Sequence, residues 1–219
     1  MLEGDGKKRI NTRVGQVMLR GKIPNPRDCI ERASKASLDY LNATFIACKP
    51  KSDPQQRRIR TWNPPPESVL KFNCDGAFRS SCSLAASGFI VRDCGGRAQW
   101  WWSGRVKASS ALYVEAWALR VACKQAKERG IRYAIFESDC KELISCLTCE
   151  GSACPWEIRV LVEDIRSFAA GNRWSFSWCG REANMVAHWL ATSTCRGLLS
   201  VSSGCIPPDL FSLISKDMM

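Results

Sequence analysis

From Val69 onward the apolar and polar positions fall into runs of two periods. Val69-Leu70-Lys71-Phe72-Asn73-Cys74-Asp75 alternates and predicts a strand that ends at Asp75, just before Gly76. Ala85–Arg92, with Gly88-Phe89-Ile90-Val91 inside it, predicts a second strand. Asp93-Cys94-Gly95-Gly96 predicts a turn, and Arg97–Val106 a third strand antiparallel to the second. Within Trp100-Trp101-Trp102, alternation puts Trp100 and Trp102 on one face and Trp101 on the other. Core plus one exposed ring is the expectation for this run, rather than a base-stacking platform. Ser109 and Ser110 offer caps for a long helix to about Glu128, closed by Gly130. Arg132–Glu137 predicts a fourth strand, parallel to the first because a helical crossover joins them. Further helices are predicted at Lys141–Leu147, Pro155–Ala170 and Glu182–Ser193. Between the last two, Trp174, Phe176 and Trp178 alternate with Ser175 and Ser177 as a fifth strand. The order βββαβααβα predicts an α/β fold. Its sheet is five-stranded and mixed, three antiparallel strands then parallel ones, flanked by helices.

Upstream the pattern is looser. Residues 26–44 read as one helix, with Asn25 as N-cap, Pro26 in the first position, and Ile30, Ala33, Ala36, Leu38 and Leu41 on one face. Residues 49–61 are polar and basic, and Pro64-Pro65-Pro66 is stiff and extended. The expected organisation is a basic N-terminal segment and linker at 1–61 and a domain at 62–217. Charge sharpens that division. The 219-residue chain has a net charge of +11. Residues 1–60 hold 14 Lys/Arg against 6 Asp/Glu, a net +8, whereas residues 61–219 hold 18 against 15, a net +3. A basic arm beside a nearly balanced domain suits a polyanionic partner such as nucleic acid; a solvated leader fits the same charges.

No run of about 18 apolar residues is present, so no membrane partner is expected. Met1-Leu2-Glu3-Gly4-Asp5-Gly6 carries no apolar signal core, and the expected setting is intracellular with reduced thiols, nucleus and cytoplasm both open. A monomer is expected. The 13 cysteines are mostly single substitutes for small apolar residues. Cys140, Cys146, Cys149 and Cys154 cluster, with one Cys-x-x-Cys inside, but a zinc knuckle would need a histidine or a second Cys-x-x-Cys pair, and the only histidine is His188. Buried free thiols are expected instead.

Three acids stand where an acid is costly. Asp75 ends the first predicted strand, and Asp139 follows the fourth. Glu115 lies on the apolar stripe of the long helix among Leu112, Leu119 and Ala122. Desolvated carboxylates resist ionisation and repel one another, and a divalent cation offsets both penalties. Parallel strands of open α/β sheets gather their sites at their carboxyl ends, where Asp75 and Asp139 fall. Hard oxygen ligands of this kind suit Mg²⁺ or Mn²⁺. Taken singly, Asp75 before Gly76 can open a turn, Asp139 can cap the next helix, and His188 can be an ordinary hydrogen-bonded histidine.

The ordered motifs Trp62-Asn-Pro-Pro-Pro, Lys71-Phe-Asn-Cys-Asp75-Gly-Ala-Phe, Gly88-Phe-Ile-Val-Arg92-Asp, Val114-Glu115-Ala-Trp-Ala-Leu119, Glu137-Ser-Asp139-Cys and Arg181-Glu-Ala-Asn184-Met-Val-Ala-His188-Trp-Leu-Ala carry a resemblance. With the tail Pro207-Pro208-Asp209-Leu210, the chain resembles the ribonuclease H-like domain of plant retroelement-derived proteins, the reverse-transcriptase-like group of the type-1 ribonuclease H family. The resemblance covers about 62–217 and implies a ribonuclease H-like fold. It implies an RNA–DNA hybrid as partner and hydrolysis of the RNA phosphodiester with two metal ions about 4 Å apart. It assigns Asp75, Glu115 and Asp139 as metal-binding acids and places His188 at the fourth position, which is usually Asp. By the same resemblance, Asp75 bridges both ions, and Glu115 and Asp139 hold the one near the leaving 3′ oxygen. Asp75 and His188 then flank the one that activates water. The Gly76–Gly88 segment and the start of the Glu115 helix are the expected source of contacts to RNA 2′-hydroxyls.

Three departures stand out. His188 replaces an anionic oxygen by a neutral nitrogen, a poorer Mg²⁺ ligand. The loop Cys179-Gly180-Arg181-Glu182 lacks the histidine of the cellular enzymes, and residues 140–160 carry no long basic insertion. The competing expectation is a retroelement remnant that binds nucleic acid but has lost turnover.

Overall fold

The structure is a computed structural model that describes residues 61–80, 84–149, 153–199 and 206–217, with Asn25, Arg32 and Lys35. The chain divides into two compact units, Met1–Cys48 and Lys49–Met219, and the sheet with its helices belongs to the second. The helix expected over 26–44 and the linker at 49–61 lie outside the described residues, apart from Asn25, Thr61, and the helical, exposed Arg32 and Lys35. No described helix is long and apolar enough to cross a membrane.

Five strands form one sheet in the order β3-β2-β1-β4-β5. They are β1 (Leu70–Arg79), β2 (Leu84–Arg92), β3 (Ala98–Val106), β4 (Tyr133–Ser138) and β5 (Arg173–Trp178). β1, β2 and β3 pair antiparallel, while β4 runs parallel to both β1 and β5, as the crossover predicts. The turn between β2 and β3 is built by Asp93, whose Oδ1 accepts from the backbone N–H groups of Gly95 and Arg97. Gly96 there has φ +72°, a conformation that glycine adopts without a steric penalty.

The helices cover both faces of the sheet. The long helix α1 (Ala111–Glu128) begins at Ser110, whose Oγ accepts from the Tyr113 N–H at 3.1 Å. With α2 (Lys141–Thr148) and α3 (Arg159–Ala169), it packs the main core over Phe72, Cys74, Phe89, Val91 and Phe136. Trp100 and Trp102 pack onto this core, as do Trp174, Phe176 and Trp178. The opposite face is covered by α4 (Met185–Cys195) and α5 (Pro208–Asp217), through Ile90, Trp101, Val186, Leu190, Leu210 and Ile214.

Four expectations change. β1 runs four residues past Asp75, because Gly76–Arg79 keep a partner in β2 after β4 has ended. The helix expected from Pro155 opens with a 3-10 turn, Trp156–Ile158, and that expected from Glu182 with another, Arg181–Asn184. Trp101 is not an exposed ring: it is 3% accessible. The cause is α5, a helix not expected from the sequence, which docks Leu210 and Ile214, one turn apart, against the Trp101 face.

A polar layer is buried on the α4–α5 face of the sheet. Arg92, fully buried, donates to Asp217 Oδ2 at 2.7 Å and to Asn73 Oδ1 at 2.9 Å, and its guanidinium lies 3.7 Å from the centre of the Trp62 ring. Trp62 Nε1 donates to the same Asn73 oxygen. Asn73 Nδ2 and Lys71 Nζ each donate to an oxygen of Glu137, at 2.9 and 2.7 Å. This layer joins Trp62, β1, β2, β4 and the end of α5. Removing one member of a buried ion pair strands the other charge, at a cost of about 3 kcal/mol, whereas replacing both by apolar groups costs less. Asp217→Ala is therefore expected to lower unfolding stability by about 3 kcal/mol in urea titrations, and Arg92→Met with Asp217→Leu by less than the single change.

Candidate metal centre

The site forms where the parallel pairing of β1 with β4 stops. Cys74↔Ser138 is the last matched pair. The next residue of each chain segment is an acid: Asp75, still within β1, and Asp139, just past the end of β4. Asp75 sits in mid-strand opposite Gly88 and is fully buried, so it does not open a turn. Asp139 does not cap α2 either: Cys140 holds the cap position without a side-chain bond, and Ser138 Oγ accepts from the Cys140 N–H at 3.1 Å. The Asp139 carboxylate is thereby left for the site, while its carbonyl is pinned by Trp178 Nε1 at 3.0 Å.

Glu115 arrives from the second turn of α1. Its approach depends on Gly76, where a Cβ would lie 2.8 Å from the Glu115 nitrogen and 2.8 Å from the Val114 carbonyl carbon. Only a residue without a side chain lets α1 come this close to β1. The Gly76 backbone hydrogen-bonds the Glu115 carboxyl, yet Oε2 of Glu115 is buried and has no partner. Asp75, Glu115 and Asp139 each present a carboxylate oxygen within 4.8 Å of the others. No other group of metal-binding side chains occurs among the described residues, and the cysteine cluster is not one. Cys74, Cys123, Cys146, Cys179 and Cys195 are buried free thiols, while Cys94 and Cys149 are exposed.

Two cationic or potentially cationic side chains face the acids. Arg181 Nη1 donates to both Asp75 Oδ1 and Asp139 Oδ2, at 2.7 and 2.6 Å. His188 Nδ1 lies 3.1 Å from the other Asp75 oxygen, and its ring also meets Thr192 Oγ1 at 3.3–3.4 Å. His188 thus borders Asp75 but lies outside the three-acid cluster. Asn184 fixes the start of α4 by donating from Nδ2 to the Cys74 carbonyl at 2.9 Å. A cleft of about 350 Å³ opens over Glu115 and Asp139, lined also by Ala111, Leu112, Cys140, Glu142 and Arg181.

Burial sets the electrostatics. It raises the Asp75 carboxyl above the ordinary 3.8, against the His188 hydrogen bond, which favours the ionised form. It raises Glu115 well above 4.5, reinforced by the charges on Asp75 and Asp139. The donor set fits a hard divalent cation: three carboxylates converge, one of them carries a buried oxygen without a donor, and a positive group already sits between two of the acids. Arg181, Asn184 and Glu142 do not emerge as site residues from hydrophobic patterning. The available signal for Arg181 was its place as the single basic residue between β5 and α4.

Over residues 73–194 the chain matches the family described as reverse transcriptase-like, and it belongs to that family. No curated protein matches its sequence. Among solved structures it is similar to the RNase H1 of the halophilic archaeon Halobacterium salinarum, with a TM-score of 0.55 and 20% identity over 59% of this chain and 98% of that one. It is similar to the N-terminal RNase H domain of a Mycobacterium tuberculosis protein, with a TM-score of 0.55 and 17% identity over 59% and 94%. It is also similar to LC11-RNase H1, isolated from compost, in complex with an RNA/DNA hybrid, with a TM-score of 0.54 and 16% identity over 60% and 99%. At these identities the likeness shows the fold: the five-stranded mixed sheet and its helices form an RNase H-like domain.

The raised Glu115 carboxyl has a consequence for stability. Its folded value lies above its unfolded one, so the contribution is favourable below about pH 4.5 and is lost as pH rises through the folded value. In EDTA at pH 7, Glu115→Gln is expected to raise Tm, and the gain should shrink as pH falls toward 4.5. Thermal melts at a series of pH values check this.

Proposed function

We propose that this domain is a metal-dependent ribonuclease that cleaves the RNA strand of an RNA–DNA hybrid. The observation that carries the reading is the convergence of Asp75, Glu115 and Asp139 within 4.8 Å, on an RNase H-like fold, at the end of the β1–β4 pairing. Those three acids, with His188 as the fourth group, would hold Mg²⁺ or Mn²⁺. The bound ions would supply an activated water and neutralise charge on the scissile phosphate. The chain's own residues do the rest. Asp75 on β1 and Asp139 at the end of β4 hold two oxygens in place, and Gly76 lets Glu115 close the set. The cleft beside Ala111 and Leu112 admits a backbone phosphate from solvent. A structural relative solved with an RNA/DNA hybrid supports the choice of substrate.

In this reading residues 62–217 form the working domain, acting as an intracellular monomer in nucleus or cytoplasm, and the chain descends from a plant retroelement. The basic segment 1–61 adds phosphate contacts without reading sequence. A second reading, a hybrid-binding remnant with weak or no turnover, is favoured by the contacts of Asp75. Both of its oxygens are engaged by side chains, one by Arg181 and one by His188.

A labelled hybrid incubated with Mg²⁺ and then Mn²⁺ tests the first reading: cleavage is expected, and Asp75→Asn should abolish it while leaving the circular dichroism unchanged. Because Mn²⁺ accepts nitrogen ligands more readily, the parent should cleave faster in Mn²⁺, and His188→Asp should improve Mg²⁺-dependent cleavage about 10-fold. Identical Mg²⁺ rates for this variant and the parent would remove His188 from the ligand set. Binding without cleavage in either metal supports the remnant reading.

Deleting residues 1–60 is expected to weaken hybrid binding and flatten its dependence on salt, since fewer counterions are released. An unchanged slope in a fluorescence-anisotropy salt series counts against a role for the basic segment.

A further inference from the structure

Arg181 holds the position between Asp75 and Asp139 through a single nitrogen. Nη1 is 2.7 Å from one carboxylate and 2.6 Å from the other, both as short as charge-assisted hydrogen bonds or shorter. Its side chain is nevertheless 48% exposed. The tip is anchored in the site while much of the side chain lies open to solvent at the rim of the cleft. The backbone beneath it is held in place. Arg181 begins the 3-10 turn whose last residue, Asn184, is tied to the Cys74 carbonyl of β1. A side chain on a fixed turn, gripped only at its end, can leave the acids by rotamer changes alone. The guanidinium also leaves part of the site unsatisfied, because Glu115 Oε2 remains buried without a donor. It therefore meets the charge of two acids and not the needs of the third.

We propose, on the basis of the metal-site reading above, that Arg181 is a displaceable plug. Its guanidinium keeps Asp75 and Asp139 paired in the metal-free protein and must withdraw before a divalent ion can bind between them. Metal occupancy is then a competition between a tethered monovalent cation and a free divalent one. A ligand that binds only the open form has its apparent Kd raised by the reciprocal of the open fraction. A plug seated nine-tenths of the time thus weakens apparent metal binding about tenfold. The same contact stabilises the metal-free fold, since without it Asp139 has no cationic partner and only His188 remains beside Asp75 at the end of the β1–β4 pair.

The test is Mn²⁺ titration of the full chain by calorimetry, with Tm measured in EDTA and in saturating Mn²⁺. Arg181→Gln is expected to tighten Mn²⁺ binding about tenfold, to lower Tm in EDTA, and to show a larger metal-induced rise in Tm than the parent. Arg196→Gln removes the same charge from an exposed residue at the other end of α4. It should leave Kd within about twofold, because exposed charges at that range are screened. Equal or weaker Mn²⁺ binding by Arg181→Gln, or equal tightening by Arg196→Gln, overturns the plug while leaving the metal site standing. Absence of Mn²⁺ binding in all three proteins overturns the metal site and the plug with it.

Discussion

Repulsion among three carboxylates brought within 4.8 Å is the constraint around which this half of the molecule is arranged. None of the three can retreat. Asp75 is held in mid-strand by its pairing with Gly88, and Asp139 is fixed by the turn that Ser138 makes and by Trp178 on its carbonyl. Glu115 is carried on an 18-residue helix whose buried face runs through Val114, Ala118, Leu119 and Ala122. Burying those side chains contributes several kcal/mol, on the order of 1.5–3 for each large one. Hydrophobic packing of α1 thus forces together charges that would separate if left to themselves. The contact is tight enough to require glycine at position 76.

Rigidity upstream of the acids comes from a second device on the same sheet face. Asn73 and Glu137 are a matched pair of the β1–β4 ladder, and their side chains hydrogen-bond at 2.9 Å. Two residues further along the chain from each lie Asp75, in β1, and Asp139, just past the end of β4. A one-residue slip of β4 against β1 would turn Glu137 to the wrong face and break its bonds to Asn73 and Lys71. The polar layer that includes Arg92, Trp62 and Asp217 therefore does more than fill space beneath α5. It fixes the register on which the spacing of the two aspartates depends.

Much of the fold was legible in the chain because it is written in local signals. Alternation found all five strands to within one or two residues except at the end of β1, and the serine cap and Gly130 bounded α1. Strand ends chosen from alternation miss pairing that continues on one side only, as it does from Gly76 to Arg79. The helix α5 was missed because its value lies in covering Trp101, a contact 109 residues away in sequence from Leu210. The acids were legible because each occupies a costly place. Arg181 was not: an arginine in a polar loop carries no local penalty, and its role exists only once β1, β4 and the turn before α4 meet. The Arg92–Asp217 pair is hidden for the same reason, since nothing in the sequence says that either charge is buried.

The histidine at 188 and the arginine at 181 bear on one quantity, the net negative charge that draws a cation into the site. An acid at position 188 would add a formal charge beside Asp75. His188 supplies instead a ring nitrogen 3.1 Å from one Asp75 oxygen, while Arg181 meets the other. Glu115, pushed by burial toward its protonated form, lowers the charge further. Asp75 and Asp139 then share one guanidinium, and an imidazole hydrogen-bonds Asp75, before any ion arrives. An imidazole rather than a carboxylate at 188 and the placement of Arg181 thus act in the same direction: each lessens the repulsion that Asp75 would otherwise meet in the metal-free site.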